Sequence, residues 1–351
     1  ATTTERCDQW RNAGYDMGMM MGLAWGNYQD YFGDRLEYHA DAIQTYKDGK
    51  LFLHAPFQGY NVPTPEYIEY LKGIIDVGID AGAGVICFEE PEFWVKAGWS
   101  DTFKRAWQAE YGIPWEPPDS SDTAEWRASK LKYRMYTDMI RELAGYISDR
   151  AAEEGRDIHC CIATHSLLNY AHWQIVSPES ALAAIPGIDS YIAQVWTGTA
   201  RQPNVYRGVE KSRTFETAFL EYGQMAGTTR GTDRTLWFLA DPVEDHPGRT
   251  MEDYTENYQA TLVASLLWPE VSHYEVMPWP ERIFSKVLPA TDKEPLRLAG
   301  RVPLAYAQEV LTVVNALNEM NSYKGTVDSE VQDIGILVSD TLMFQREAPG
   351  H

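Results

Sequence analysis

Positive charge is scarce in this sequence. Its 351 residues include 30 lysines and arginines against 51 aspartates and glutamates, which gives a formal net charge of −21. A surface of that sign repels the phosphate backbone of nucleic acids and the anionic face of membranes. We therefore expect neither a nucleic-acid partner nor a membrane partner.

Cysteines and long apolar runs are also few. The four cysteines, Cys7, Cys87, Cys160 and Cys161, show neither metal-site spacing nor a disulfide framework. No apolar run reaches transmembrane length, and no signal peptide is visible. Buried free thiols fit a reducing compartment better than an exported one, which slightly favours a cytoplasmic over a periplasmic or secreted location. The chain begins at Ala1, so a leader removed from a precursor is compatible with it and the location stays open.

Several catalytic motifs are absent. The sequence has no glycine-rich phosphate loop after a strand, no HExxH, no GxSxG and no convincing metal cluster, and we expect no cofactor. Aromatic residues, by contrast, are plentiful, with 12 tryptophans and 21 tyrosines. Aromatic wealth in an acidic protein is typical of sugar-handling clefts, and it is equally compatible with a thick aromatic core.

Residues 82–94, GAGVICFEEPEFW, are the stretch around which we interpret the chain. The short apolar run between glycines and a proline predicts a buried parallel strand, and Glu89, Glu90 and Glu92 follow at its carboxyl end. That end is where parallel α/β folds carry their chemistry. Acids this close repel one another, so at least one pKa is expected to be high, as a general acid requires. A solvated acidic loop before the next helix is the alternative.

The alternation of strands and helices predicts an α/β fold, a (β/α)8 TIM barrel. We place the barrel in residues 1–325 and the start of a following α/β domain, or a linker, in residues 326–351. Seven barrel strands are predicted, and the eighth is either residues 333–338 or a first strand missing from the sequence, which we prefer. A helix is also predicted over residues 30–48. The predicted strands are residues 17–25, 51–57, 84–92, 158–164, 188–196, 235–240 and 271–277.

Three motifs carry a resemblance to a known family. Counted as strand four, the strand before Glu89-Glu90-Pro91 resembles the one that ends in Asn-Glu-Pro in the large clan of retaining (β/α)8 glycoside hydrolases. The segment VSHYEVMPWPERIF is similar to their last barrel strand, and DIGILVSDTLMFQR looks like the domain after the barrel in family 42-type β-galactosidases. Glu89 replaces the usual Asn, and Asp241 stands where the nucleophilic Glu is expected. The nearest strand-end glutamate, Glu275, lies one strand later.

The resemblance implies hydrolysis of a glycosidic bond by two carboxylates. Glu90 is our candidate acid, with Glu275 preferred to Asp241 as its partner. The alternative for Glu90 is a structural ion pair with a barrel lysine or arginine, and for Glu92 a salt bridge to Lys104 or Arg105. The candidate substrate-binding residues are Glu89, Glu92, His165, Trp196, Trp279 and Arg282.

Each binding candidate also has a structural interpretation. The tryptophans fit ordinary packing at the barrel rim, and Arg282 fits a salt bridge at a helix start. His54, inside a predicted strand, is interpreted as a core histidine.

Two other functions remain open. One is a non-catalytic carbohydrate-binding barrel that uses the same aromatic mouth. The other is a metal-dependent barrel hydrolase or isomerase, with Glu89, Glu90, Asp241 and His165 as ligands. The expected partner is a carbohydrate in each sugar-handling case, and a homo-oligomer is compatible with the sequence. The sugar, its linkage and the stereochemical outcome do not follow from the sequence.

Overall fold

The computed structural model describes residues 3–240, 251–276, 304–322 and 335–340. Its α-helices are α1 (Thr3–Asn12), α2 (Gln29–Phe32), α3 (Pro65–Asp80), α4 (Asp101–Tyr111), α5 (Asp122–Glu154), α6 (Leu167–Trp173), α7 (Glu179–Leu182), α8 (Thr197–Ala200), α9 (Thr214–Thr229), α10 (Met251–Leu266) and α11 (Leu304–Ser322). Its strands are β1 (Gly18–Gly22), β2 (Leu53–Ala55), β3 (Gln58–Gly59), β4 (Val85–Glu89), β5 (Phe93–Trp94), β6 (His159–His165), β7 (Ile175–Val176), β8 (Ser190–Gln194), β9 (Asn204–Tyr206), β10 (Val209–Lys211), β11 (Thr235–Ala240) and β12 (His273–Val276).

Six strands form the main sheet, in the order β1, β4, β6, β8, β11, β12. The pairs β1–β4, β4–β6 and β11–β12 run parallel. Parallel strands joined through helices are the arrangement of α/β folds of the TIM-barrel type. The predicted α/β class is therefore confirmed. The described residues contribute six sheet strands where a closed barrel has eight, and closure stays a prediction.

Two predicted elements are wrong. Of residues 51–57, only β2 is a strand, and it pairs antiparallel with β3 in a two-stranded hairpin outside the main sheet. Because β1 and β4 are direct neighbours in the main sheet, no strand from this hairpin lies between them. The prediction that β4 is the fourth barrel strand counted such a strand, so that numbering is one too high. The predicted helix over 30–48 is also absent: α2 ends after one turn at Gly33, whose φ is +79°, and a 3₁₀ turn follows at Ala40–Ala42.

Hydroxyl side chains cap the first turns of two helices. The side chain of Thr64 accepts a 3.1 Å hydrogen bond from the main-chain nitrogen of Tyr67 and so caps the first turn of α3. Ser121 caps α5 through the nitrogen of Ala124 in the same way. The bounds of β11 agree with the predicted 235–240, because they are defined by residues inside the segment.

The predicted strand at residues 333–338 is corrected in its described part. Residues 335–338 form no strand, and residues 333 and 334 lie outside the described ranges. Just beyond them, the carboxylate of Asp340 accepts a 3.0 Å hydrogen bond from the main-chain nitrogen of Ser180, in α7. The division of the chain near residue 326 stays a prediction.

The chain divides into two compact units. The first comprises Ala1–Tyr191 with Gly231–Thr235 and Val338–His351, and the second comprises Ile192–Arg230 and Leu236–Leu337.

The first unit contains all four cysteines, each of them buried and outside any disulfide. In the second unit α9 packs against α10, and Tyr258, Leu262 and Val313 form a small apolar cluster. Over the described ranges, no helix combines the length and the apolar character that crossing a membrane requires.

Candidate functional site

The candidate site lies in the first unit, at the carboxyl end of β4. Glu89 ends the strand in register with Ala163 of β6, and the main-chain nitrogen of Glu90 still donates to the Ala163 oxygen at 3.0 Å. Glu90 has a φ of +53°, in the left-handed region that residues other than glycine seldom adopt. The nitrogen of Glu92 then donates to the oxygen of Glu90 at 2.9 Å. The chain therefore turns at Glu90 and Pro91 instead of continuing as a strand.

The carboxylate of Glu90 is held through both of its oxygens. Oε2 accepts a 2.8 Å hydrogen bond from the indole nitrogen of Trp25, and Oε1 lies 3.0 Å from Nε2 of His165. Burial acts to raise the pKa of Glu90, but the hydrogen bond and electrostatic attraction of His165, helped by Trp25, outweigh it and lower this pKa. Glu90 is therefore the ionised carboxylate of the cluster in the free protein.

Glu92 shows the opposite behaviour. Its side chain is 3% exposed, and burial followed by the negative charges of Glu90 and Glu89 raises its pKa well above the usual range, against a hydrogen bond from Tyr170. The sequence predicted at least one abnormally high pKa in this cluster, and Glu92 has it. The expectation that Glu90 is the group with the raised pKa is wrong, because the two donors on Glu90 stabilise its charged form.

The alternative role predicted for Glu92, a salt bridge, involves cations that bind elsewhere. Lys104 pairs with Asp101 at 2.9 Å, and Arg105 pairs with Asp41 at 2.8 Å. Both pairs stand on the exposed side of α4. Glu92 is thus a buried carboxyl among neighbouring acids and hydroxyls rather than half of a surface ion pair.

His165 ends β6, where the sequence placed it. Ser166 begins α6 directly afterwards and caps it, accepting a 3.1 Å hydrogen bond from the nitrogen of Asn169. The imidazole is 2% exposed and meets the rings of Tyr170 and Trp173 edge-on, at centroid distances of 5.6 and 4.9 Å. These contacts fix the ring so that Nε2 faces Glu90.

An aromatic pair lies beside Glu90. The ring of His54 stacks on Trp25 at a centroid distance of 3.5 Å and an interplanar angle of 7°. His54 is exposed, so its interpretation as a core histidine is wrong: β2 belongs to the small hairpin and does not pass through the sheet. Gly22 permits this arrangement, because a Cβ there would lie 2.0 Å from the main-chain oxygen of Trp25.

Sequence reasoning missed Trp25 and Tyr170. Trp25 follows an apolar strand in the same way as the predicted Trp196 does, so a usable signal existed. Tyr170 lies in a short helix with no motif around it, and only its contacts across the fold single it out.

The other predicted residues are distributed as follows. Glu89, Glu90, Glu92 and His165 belong to the first unit and lie together. Trp196, which precedes α8, and Glu275, in β12, belong to the second unit. Asp241, Trp279 and Arg282 lie outside the described residues.

Among the described residues, Glu90, Glu92 and His165 form a group whose ligand atoms lie within 4.8 Å of one another. Metal ligands must be deprotonated, and binding requires their lone pairs to be available. Here Nε2 of His165 is engaged by Glu90, and burial raises the pKa of Glu92, which favours the protonated carboxyl over the carboxylate that a metal needs. We therefore do not assign this cluster to a metal.

Among the comparisons with known proteins, one solved structure bears on the fold. No protein-family model matches the sequence, and no curated protein matches it. The chain is similar to the crystal structure of a β-galactosidase from the psychrophilic Marinomonas ef1, with a TM-score of 0.55 and 9% identity over 91% of this chain and 53% of that one. It also matches the cyclic α-maltosyl-(1→6)-maltose hydrolase from Arthrobacter globiformis, with a TM-score of 0.40 and 10% identity over 91% of this chain and 61% of that one. The chain thus spans about half the length of the first and about three-fifths of the second, and the first likeness is consistent with an α/β fold of the TIM-like type.

Proposed function

We propose that this chain hydrolyses glycosidic bonds and that Glu90 is the carboxyl that exchanges a proton with the glycosidic oxygen. The observation that carries the proposal is the fixation of Glu90 at the end of a parallel strand by Trp25 and His165. A catalytic acid must be held in one orientation and screened from bulk water, and its pKa must respond to neighbouring groups. Glu90 meets these requirements, since it is 8% exposed and held through both oxygens.

The opposite pKa shifts of Glu90 and Glu92 suit this chemistry. The pKa of Glu90 is lowered and that of Glu92 is raised, and their ligand atoms lie within 4.8 Å of each other. Two carboxyls whose surroundings drive their pKa values apart are characteristic of acid–base sites. In this proposal Glu92 supplies the proton, and Glu90 passes it to the leaving oxygen.

The second carboxylate is proposed to be Glu275 or Asp241, as the resemblance implies. A separation of about 5–5.5 Å from Glu90 would give retention of configuration, and about 6.5–9.5 Å would give inversion. Glu275→Gln and Asp241→Asn, compared in the same assay, identify the partner by the larger loss of turnover.

The proposed substrate is a carbohydrate that meets Trp25 and its stacked partner His54. Sugar rings carry apolar faces that pack on flat aromatic side chains, and polar groups around them fix orientation. Trp196, Trp279, Arg282 and Glu89 remain proposed substrate contacts. The family 42-type resemblance and the Marinomonas β-galactosidase make β-galactosides the first substrates to test.

The test is a panel of aryl glycosides and oligosaccharides with the wild type, Glu90→Gln and the exposed control Glu153→Gln. Glu90→Gln keeps the shape and loses the proton donor, so turnover of poor leaving groups should fall about 10²–10⁴-fold. Dinitrophenyl glycosides need little protonation and should be largely spared at the first bond cleavage. Glu153→Gln should match the wild type. An equal loss for every leaving group in Glu90→Gln would contradict the proposed role.

The other two functions predict different results. A carbohydrate-binding barrel would bind oligosaccharides without turning over any member of the panel. A metal-dependent enzyme would lose its activity with a chelator and regain it with a divalent ion, whereas the proposed mechanism is indifferent to both treatments.

A further inference from the structure

The short segment that carries Trp25 follows β1. This strand ends at Gly22, and the nitrogen of Leu23 makes one more hydrogen bond to the neighbouring strand, to the main-chain oxygen of Glu89 at 2.8 Å. The place of the Trp25 indole, which donates to Glu90, therefore depends on what holds the main chain of the three residues before it.

Two tyrosines hold the first two main-chain oxygens of this segment. The hydroxyl of Tyr28 donates to the oxygen of Gly22 at 2.7 Å. The hydroxyl of Tyr67, in α3, donates to the oxygen of Leu23 at 3.2 Å. A carbonyl oxygen accepts and cannot donate, so each hydroxyl uses its one proton on the segment. The segment is thus fixed by side chains that lie outside the main sheet.

Asn61 holds the third oxygen, that of Ala24, directly before Trp25. Its main-chain nitrogen donates to this oxygen at 2.6 Å, and its Nδ2 donates to it at 3.0 Å. Nδ2 also donates to the hydroxyl of Tyr67 at 2.8 Å, and this hydroxyl accepts because its own proton is used on Leu23. Asn61 and Tyr67 are each 1% exposed, so these bonds are shielded from water.

A second buried amide, Gln44, ties Asn61 to the segment that carries Glu92. Nε2 of Gln44 donates to the main-chain oxygens of Asn61 at 3.0 Å and of Glu92 at 2.8 Å. Its Oε1 accepts from the main-chain nitrogen of Trp94 at 2.9 Å. The side chain of Gln44 is fully buried, and the bonds that it makes fix the place of Asn61.

The bond between Trp25 and Glu90 depends on this fixation. The stacked ring of His54 restricts the tilt of the indole but permits it to slide in its own plane. A slide of about 1 Å would lengthen the 2.8 Å bond beyond the useful range, which ends at about 3.2 Å. Because the indole moves with its main chain, the hydrogen bonds to that chain decide whether the donor reaches Glu90.

We propose that Asn61 and Tyr67 are positioning residues of the candidate site. They hold the main chain before Trp25 so that the indole nitrogen meets Oε2 of Glu90. The catalytic use of this bond rests on the proposed function, whereas the positioning is a property of the free protein.

The test is a double-mutant cycle on the pKa of Glu90 in the free protein, measured by carbon-13 titration of labelled glutamate side chains. Asn61→Ala removes Nδ2 and should raise this pKa by about half a unit or more, because the donor to the charged carboxylate is weakened. In a Trp25→Phe background the donor is already absent, so Asn61→Ala should cause almost no further shift. Tyr67→Phe should give the same pattern.

Two variants control for general damage, and both should leave the pKa of Glu90 unchanged. Tyr222→Phe, in the second unit, also removes a buried hydroxyl that donates to a main-chain oxygen, that of Leu239 at 2.7 Å. Leu143→Ala opens a cavity at a fully buried position of α5 and lowers stability. The titratable groups that interact electrostatically with Glu90 are the same in every variant, namely His54, Tyr60, Glu92, His165 and Tyr170.

The outcomes separate positioning from a purely structural role. If Asn61→Ala does not fold, as judged by near-ultraviolet circular dichroism, Tyr67→Phe carries the cycle alone. An equal shift in the wild-type and Trp25→Phe backgrounds would overturn the proposal, since these residues would then act on Glu90 without Trp25. A folded variant with no shift, or a shift of the same size in Tyr222→Phe, would overturn it as well.

The readout needs no substrate, so the two proposals fail separately. A pKa of Glu90 that depends on Asn61 through Trp25, in a protein that hydrolyses no glycoside, would leave the positioning standing and remove the proposed function. Turnover that depends on Glu90, with a pKa that is indifferent to Asn61 and Tyr67, would do the reverse.

Discussion

The indole nitrogen of Trp25 donates a 2.8 Å hydrogen bond to Oε2 of Glu90, across 65 positions of sequence. The two residues follow neighbouring parallel strands, β1 and β4, whose carboxyl ends meet at the same edge of the sheet. This bond stabilises the ionised form of Glu90, so removing it should raise the pKa of Glu90, and this change can be measured.

Trp25→Phe should raise the pKa of Glu90. The ring is kept and the donor to the charged carboxylate is lost, and such hydrogen bonds contribute about 1.5–3 kcal/mol, or roughly one to two pKa units. Carbon-13 titration of labelled glutamate side chains, with Glu90→Gln for assignment, measures the change. The control is Trp173→Phe, which alters an aromatic neighbour of His165 without a bond to Glu90. An unchanged or lower pKa in Trp25→Phe would contradict the assigned donor.

His165→Leu should destabilise the protein more at pH 7.5 than at pH 5. In the wild type the lowered pKa of Glu90 adds stability that is present above its unfolded-state pKa and is lost as pH falls through the folded-state value. In the variant burial dominates and raises that pKa, so stability falls as pH rises through the interval above about 4.3. The difference between the two pH values should be about 1–3 kcal/mol.

Urea unfolding at both pH values measures this difference, with the exposed His172→Leu as the control. A deficit for His165→Leu that is the same at pH 5 and pH 7.5 would show that the imidazole contributes only packing.

Lys132 should make the stability of this protein increase with pH. Its ammonium is buried, donates to the main-chain oxygen of Val95 at 2.7 Å and lies over the rings of Phe93 and Phe103. Burial lowers its pKa to about 7. Between that value and the ordinary pKa of about 10.4 the unfolded chain binds a proton that the folded chain lacks, so this contribution to stability rises with pH.

Lys132→Met should remove this dependence. Relative to the wild type, the variant should be at its most stable at or below pH 7 and lose that advantage by pH 10, a relative change on the order of a few kcal/mol. Guanidinium unfolding across this range measures it, and Lys130→Met, at an exposed position of the same helix, should run parallel to the wild type. Parallel curves for Lys132→Met as well would mean that Lys132 is protonated throughout.

Asp340→Ala should lower the free energy of unfolding by about 0.5–2 kcal/mol, the range found for the loss of a capping side chain. Asp340 is 3% exposed and accepts hydrogen bonds from both the nitrogen and the hydroxyl of Ser180. Asp119→Ala removes an exposed ion pair with Lys47 and should have almost no effect. Equal small effects from both would show that Asp340 does not secure the start of α7.

Helices and strands that are determined by nearby residues were predictable from the sequence. The apolar run before Glu89 forms β4, and β11 has the bounds that its residues indicate. Each depends on periodicity, capping or turn residues within a few positions. The same reasoning failed for residues 51–57, because an apolar segment does not specify its partner and β2 pairs with β3.

The sequence by itself determined that acids cluster after β4, that His165 ends the strand beside it, and that one carboxyl there has a high pKa. Only the tertiary structure decided which one. Trp25 and His165 lower the pKa of Glu90, whereas burial and the neighbouring acids raise that of Glu92. A pKa depends on burial and on the groups within a few ångströms, and Trp25 and His165 lie 65 and 75 residues from Glu90 along the chain.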